Sequence, residues 1–315
     1  MAVTIAAAAR EIATMAALPP LVVALGLGML FAGVVNVDQV TPGVTMATRP
    51  ILRFGVALLG AQLTFGQLAA LGAPVAAIAI AGLAAALATG LLVGRWMGLP
   101  RGLAAVAAAA VAVCGASAAL AIAAVLPARE RPEEGTATVI AGVTVIGSAA
   151  MLVYPVVAQA MGFSAQAMGV FLGATLHEVA QAVGAGVTVS NEVGGVATAV
   201  KLLRVACLTP IVILVGIMMR RGGGTALGSM PPIVPGFLLG FFLLAGLASY
   251  AILPPAFLIL LSELSRLCLL VAIAALGMKV SLPRLAAAGS GLLVTISAAS
   301  LVLAAVVGGL LLVSG

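Results

Sequence analysis

Polar residues are confined to narrow intervals along this chain. No Asp, Glu, Lys, Arg or His occurs in 12–37, 54–94, 102–128, 135–176, 222–262 or 285–315. A helix needs about 20 apolar residues to cross the hydrocarbon core, so each shorter window predicts one crossing. The three windows of about 41 residues predict two crossings each. Turn signals interrupt them at Gly66-Gln67 to Pro74, at Gly162-Phe163-Ser164 and at Leu253-Pro254-Pro255. The predicted segments run near 18–35, 50–66, 73–94, 101–128, 135–161, 164–189, 194–220, 232–252, 255–278 and 285–313. Ala and Leu dominate them and no ten-residue alternation is present, so helices are predicted rather than a barrel. The expectation is an all-α polytopic membrane protein of about ten transmembrane helices, forming a single domain over 1–315. Short connections leave no room for a soluble domain.

Composition agrees. Hydrophobic residues make up 64% of the chain, charged residues 7%, and the mean hydropathy is +1.34. Soluble domains carry roughly a quarter charged residues, and a water-facing surface cannot be built from so few. The net charge of +6 is scattered at segment ends without a basic run or aromatic-interleaved patch, so no nucleic-acid partner is expected. If all ten segments cross, Arg49, Arg95, Arg101, Arg220, Arg221, Lys279 and Arg284 share one face. Arg10, Arg129 and Arg131 then share the other, and the positive-inside rule puts both termini outside. The stretch from Met1 to Pro20 lacks the basic start of a cleaved signal peptide and reads as a short interfacial helix carrying Arg10 and Glu11. Cys114, Cys207 and Cys268 all fall in apolar segments, which predicts no disulfide frame, no metal site and no cofactor. GxxxxGK[ST] is absent, so any transport must be driven by ion gradients or a separate partner.

The chain repeats itself. Arg49 to Gly72 and Arg266 to Gly289, at an offset of 217, are identical at nine of 24 positions. The matches include Arg49/Arg266, Leu59-Gly60/Leu276-Gly277 and Gly72/Gly289. The copies fall in the second and ninth predicted segments. An odd separation makes them cross in opposite directions, as in an inverted-topology repeat, with halves near 18–161 and 164–313.

Two predicted helices are interrupted. Cys114-Gly115-Ala116-Ser117 lies midway along 101–128. Gly115 among small residues fits either a close helix contact or a break presenting a helix N-terminus and the Ser117 hydroxyl to an anion. His177-Glu178, followed by Gln181, lies about thirteen apolar residues into 164–189. Ionisable residues at that depth are costly and functional by default. HExxH would need a second histidine at Gln181, so a metalloprotease is excluded. With no Gly-x-Ser-x-Gly and no Asp-rich motif either, no enzyme is expected. Lys201 and Arg204 share one helical face at spacing i,i+3, too deep for Arg204 to be a simple snorkelling cation. Glu263 and Arg266 share the same spacing and read as a self-compensating structural pair.

On CGASAALA at 114–121, HEVAQAVGAG at 177–186, KLLRV at 201–205 and the two Leu-Gly segments, the chain resembles the YeiH-type sulfate exporter family over nearly its whole length. That resemblance implies a ten- to eleven-helix inner-membrane protein related to inverted-repeat antiporters and anion symporters, in which two broken helices cross near the substrate site. The expected function is secondary, proton-coupled transport of a small oxyanion such as sulfate, sulfite or an organosulfonate. Arg204, Lys201, Ser117, Gly115 and Gln181 are the candidate substrate ligands, and His177 with Glu178 the candidate proton-coupling pair. A cation:proton antiporter and an anion channel are the alternatives. The expected partners are the anion, protons or another coupling ion and the bilayer, with a homodimer by analogy.

Overall fold

The computed structural model describes residues 1–16, 20–32, 37–62, 64–127, 130, 132–219, 236–279 and 289–314. Arg129, Arg131, Arg220, Arg221 and Arg284, used above to argue sidedness, lie outside the described residues. Among the described residues all regular structure is helical. The helices are α1 (Ala2–Ala16), α2 (Pro20–Ala32), α3 (Val37–Met46), α4 (Leu52–Leu59), α5 (Phe65–Trp96), α6 (Arg101–Ala112) and α7 (Ala116–Val125). They continue as α8 (Glu133–Ala160), α9 (Ala165–Thr175), α10 (Val179–Val189), α11 (Asn191–Ala206), α12 (Leu208–Met219), α13 (Gly236–Ser249), α14 (Pro255–Lys279) and α15 (Ser290–Ser314).

Six stretches are long and apolar enough to cross a bilayer: Pro42–Gln62, Gly72–Trp96, Gly135–Ala160, Asn191–Val215, Pro255–Lys279 and Ser290–Ser314. The expected ten are not reached among the described residues. The windows 101–128 and 164–189 do not hold long helices; each folds into two short ones. In the first, Val113 (φ −116°, ψ −82°) and Gly115 (φ 62°, ψ −123°) end α6 and start α7. In the second, Leu176 and Glu178 are extended between α9 and α10.

Both pairs are re-entrant hairpins. The start of α6 lies beside the end of the first pair, because a Cβ on Gly102 would collide with the Glu130 carbonyl oxygen and meet Leu126 at 3.2 Å. Gly169 of α9 and Gly186 of α10 both face the Val193 carbonyl at the start of α11, so the second pair also returns to its own side. Ser190 makes that reversal tight: it ends α10, and its side chain accepts from Val193 N at 3.1 Å to cap α11. The hairpins enter from opposite faces. α8 starts beside α6, where Gly135 meets Leu103, and runs to the face where α9 begins after its Ser164 cap. Hairpin plus following helix (α6–α7–α8) is thus repeated upside down as α9–α10–α11. The sidedness argument changes only between the hairpins, since two re-entrant pairs restore the parity from α11 onward: Glu130 lies on the same face as Arg101.

The repeat seen in the sequence has a matching backbone signature. Gly72 (φ 67°) and Gly289 (φ 75°) both adopt the left-handed conformation, and each opens a long helix, the main arm of α5 and α15. These two helices run antiparallel, with Gly82 against Val307 and Gly94 against Thr295.

The helices form two groups. α1, α2, α4, α13 and α14 pack together; α5 to α12 pack with α15. The seam between the groups runs chiefly through α10 against α14 and α2. In the second group α6 is buried along nearly its whole length, since its alanines let α5, α8 and α15 approach closely. In lipid, such close packing replaces the hydrophobic drive that holds helices together in water.

The hairpin topology has a direct test. In a chain without its native cysteines, Met97→Cys and Pro127→Cys should react with an impermeant thiol reagent from one side of the membrane. Phe163→Cys and Asn191→Cys should react from the other. Labelling of Met97→Cys and Pro127→Cys from opposite sides would mean that 101–125 crosses.

Candidate functional site

The hairpin tips meet at mid-depth, and α11 holds them there. Arg204 and Lys201 lie about 20 and 15 Å along α11 from its start. The Arg204 guanidinium donates to carbonyl oxygens of both tips: Nε to Ala112 at 3.1 Å, Nη2 to Val111 at 3.0 Å and to Ala112, and Nη1 to Ala174 at 2.7 Å and Leu176 at 3.1 Å. The Lys201 ammonium donates to Val113 at 2.8 Å and Leu176 at 2.6 Å. These are the orphan carbonyls at the C-terminal ends of α6 and α9. Helix C-termini also carry partial negative charge, so two cations are well matched to two converging ends.

The same tips bring a carboxylate beside the other break. Glu178 precedes α10, and a capping box forms with Gln181, whose Oε1 accepts from the Glu178 backbone N–H at 3.0 Å. Thr144, midway along α8, donates its hydroxyl to Glu178 Oε1 at 3.0 Å, and its carbonyl accepts from Gln181 Nε2 at 3.3 Å. Gly147 leaves the room for that amide: a Cβ there would collide with it. Gly115 does the same for Glu178, whose Cγ would lie 2.7 Å from an added Cβ. His177 is fully buried and its Nε2 lies 2.8 Å from Ser300 Oγ. Ser300 donates its one proton to Ile296 O at 2.7 Å, so His177 Nε2 is the donor and Nδ1 carries the lone pair. That Nδ1 is buried without a partner.

The structure thus gathers Gly115, His177, Glu178, Gln181, Lys201 and Arg204 in one place. It departs from the expected roles at two of the candidates. All five N–H groups of Arg204 are spent on carbonyls, and Lys201 is wholly buried with two of its three used, so neither offers an anion a free fork in this conformation. Ser117 is the second residue of α7, exposed, outside the hydrogen-bonded network. Gly115 is a break in the chain, as one of its two readings expected. Thr144 and Ser300 went unnoticed in the sequence, because a lone hydroxyl in an apolar helix usually bonds its own i−4 carbonyl. Lys279, read in the sequence only as an interfacial helix end, closes α14: it is exposed and within electrostatic reach of Glu178 and Arg49. Glu263 and Arg266 do pair, at 2.8 Å, near the surface.

A family model described as conserved hypothetical protein 698 matches residues 1–296. The chain belongs to this family. It is 40% identical to the UPF0324 membrane protein TauZ of Paracoccus denitrificans over 303 residues, covering 95% of this chain and 90% of that one. A UPF0324 membrane protein of Rhizobium meliloti is 38% identical over 292 residues (91% and 84%), and one of Chlorobaculum tepidum is 37% identical over 286 residues (90% and 80%). No solved structure matches.

In this family member, the geometry gives Arg204 and Lys201 a testable role as caps. Arg204→Ala and Lys201→Ala strand carbonyls in the protein interior and should each lower the stability of the purified protein by on the order of 3 kcal/mol. Arg204→Lys, with three donors for five, should recover only part. Thermal unfolding in detergent measures this. Arg204→Ala unfolding at the wild-type temperature would refute the capping role.

Proposed function

We propose that this chain is a secondary carrier for a small oxyanion (sulfate, sulfite or a short organosulfonate) at the inner membrane, coupled to protons. The observation that carries the reading is the meeting of two opposed re-entrant hairpins around buried ionisable residues. Irregular backbone at membrane depth is tolerated only inside protein or along a water-filled cavity, and broken helices at the interface of inverted repeats are where carriers bind their cargo.

Charge favours an anion. The two helix C-termini and two N-termini at the tips contribute about one unit of each sign and cancel. Lys201 and Arg204 then outweigh Glu178 by about one unit, and by two when Glu178 is protonated. On this reading Arg204 and Lys201 act from behind the tips, setting the potential without touching the cargo. The cargo meets the start of α7 at Gly115 and Ser117, with Gln181 nearby and Lys279 across the seam. Glu178 and His177 take up the coupled protons, since protonating Glu178 removes the charge that repels the anion. A cation:proton antiporter would want a second carboxylate here. Glu263, the other candidate, is paired with Arg266 near the surface.

Counterflow of labelled sulfate and sulfite in proteoliposomes, with an imposed pH step, tests this. Accumulation should saturate and respond to the step. Glu178→Gln should keep counterflow and lose the pH response, and Lys279→Gln should raise KM about tenfold, the size of one lost charged hydrogen bond. Non-saturating flux would indicate a channel, and absence of flux for both ions and for organosulfonates would remove the reading.

A further inference from the structure

A cavity of about 620 Å³ opens on the seam between the two helix groups, on the side from which the second hairpin enters. Its polar lining is Arg10 of α1, Thr188 of α10, Asn191 of α11, and Glu263 and Arg266 of α14; apolar side chains of α2, α10 and α14 close the rest. Glu263 is committed to Arg266 Nη1, and Arg266 Nη2 donates to Asn191 Oδ1 at 3.2 Å. Three of the five Arg266 N–H groups remain open to the cavity's contents. Arg266 is 44% exposed in its side chain, and Arg10 is exposed with no hydrogen-bond partner among the described residues. Two guanidiniums against one carboxylate leave the cavity about one unit positive. Guanidinium groups match the spacing of oxyanion oxygens and hold them in pairs.

We propose that this cavity is a second oxyanion site, in which Arg10 and Arg266 together hold a sulfate-like or phosphate-like group. It is separate from the hairpin tips, because the eleven residues of α10 put about 16 Å between Glu178 and Asn191. On the carrier reading above, it collects the anion at the mouth of the path to the tips. Its walls come from both helix groups, and the Arg266–Asn191 bond bridges them. An anion bound there touches the groups whose relative position decides access. A free oxyanion and the phosphate of an anionic lipid share this chemistry.

Protection of the two arginines from phenylglyoxal, read by peptide mass spectrometry, tests the site without requiring transport. The protein is placed in nanodiscs of neutral lipid with or without sulfate, and in nanodiscs containing phosphatidylglycerol. Sulfate should slow modification of Arg10 and Arg266 together by at least about threefold. Arg10→Gln, which breaks no bond of the fold, should raise the sulfate concentration needed to protect Arg266 about tenfold. Protection by phosphatidylglycerol alone would uphold the site and assign it to lipid phosphate. Protection of neither arginine, or no effect of Arg10→Gln, would overturn it. Counterflow on the same preparations separates the two claims. Protection without flux keeps the site and fails the carrier; flux without protection does the reverse.

Discussion

Carbonyl oxygens at the C-terminal ends of two helices, stranded at mid-membrane, are the constraint from which this architecture follows. A lone unsatisfied polar group in hydrocarbon costs several kcal/mol, and each half-helix leaves up to four carbonyls without partners. Lys201 and Arg204 answer both ends from a single helix. For two side chains to serve α6 and α9 at once, the tips must converge, α11 must run beside α9, and the hairpins must come from opposite faces. The inverted arrangement and the capping cations are one solution to one problem.

The N-terminal ends are treated unequally. α10 carries its own acceptors, Glu178 and Gln181, steadied by Thr144 and given room by Gly147. α7 starts at Ala116 after Gly115 with no side-chain cap. One helix start is capped by two polar side chains, and the other has only the Cys114 thiol beside the Ala118 N–H. On the carrier proposal, this asymmetry would put the anion at the start of α7, next to Glu178.

Much of the site could be read from the sequence, because its signals are local. A glycine amid small residues marked the first break, and a histidine and glutamate thirteen apolar residues deep marked the second. Gly72 and Gly289 were visible as a repeat before their shared φ was known. What stayed hidden depends on distant contacts. A stretch of 27 apolar residues reads alike whether it crosses or doubles back, since hydropathy carries no direction. The i,i+3 spacing of Lys201 and Arg204 shows a shared face but not its partners, which lie 92 and 28 residues away for Arg204. An anion and a ring of carbonyls call for the same cations. Lys279 looked like an ordinary helix end because nothing local to it reveals Glu178.

The capping network also limits how such a protein can move. Parting the tips from α11 to admit a ligand would strip carbonyls of charged donors worth about 1.5–3 kcal/mol each, several at once. That exceeds the few kcal/mol that separate interconverting states. The hairpins, α8 and α11 must therefore travel as one body. The seam is the weaker boundary: its contacts run chiefly through α10, and its described polar bridges are Arg266 to Asn191 and the Phe65 N–H to Ser249 Oγ, all at exposed or partly exposed groups. On the carrier proposal, access to a site at the tips would alternate by sliding one helix group against the other, with Lys279 in one group and Glu178 in the other. On the carrier proposal, two opposite charges divided in this way would change their separation with the motion, which would link anion occupancy to the protonation of Glu178.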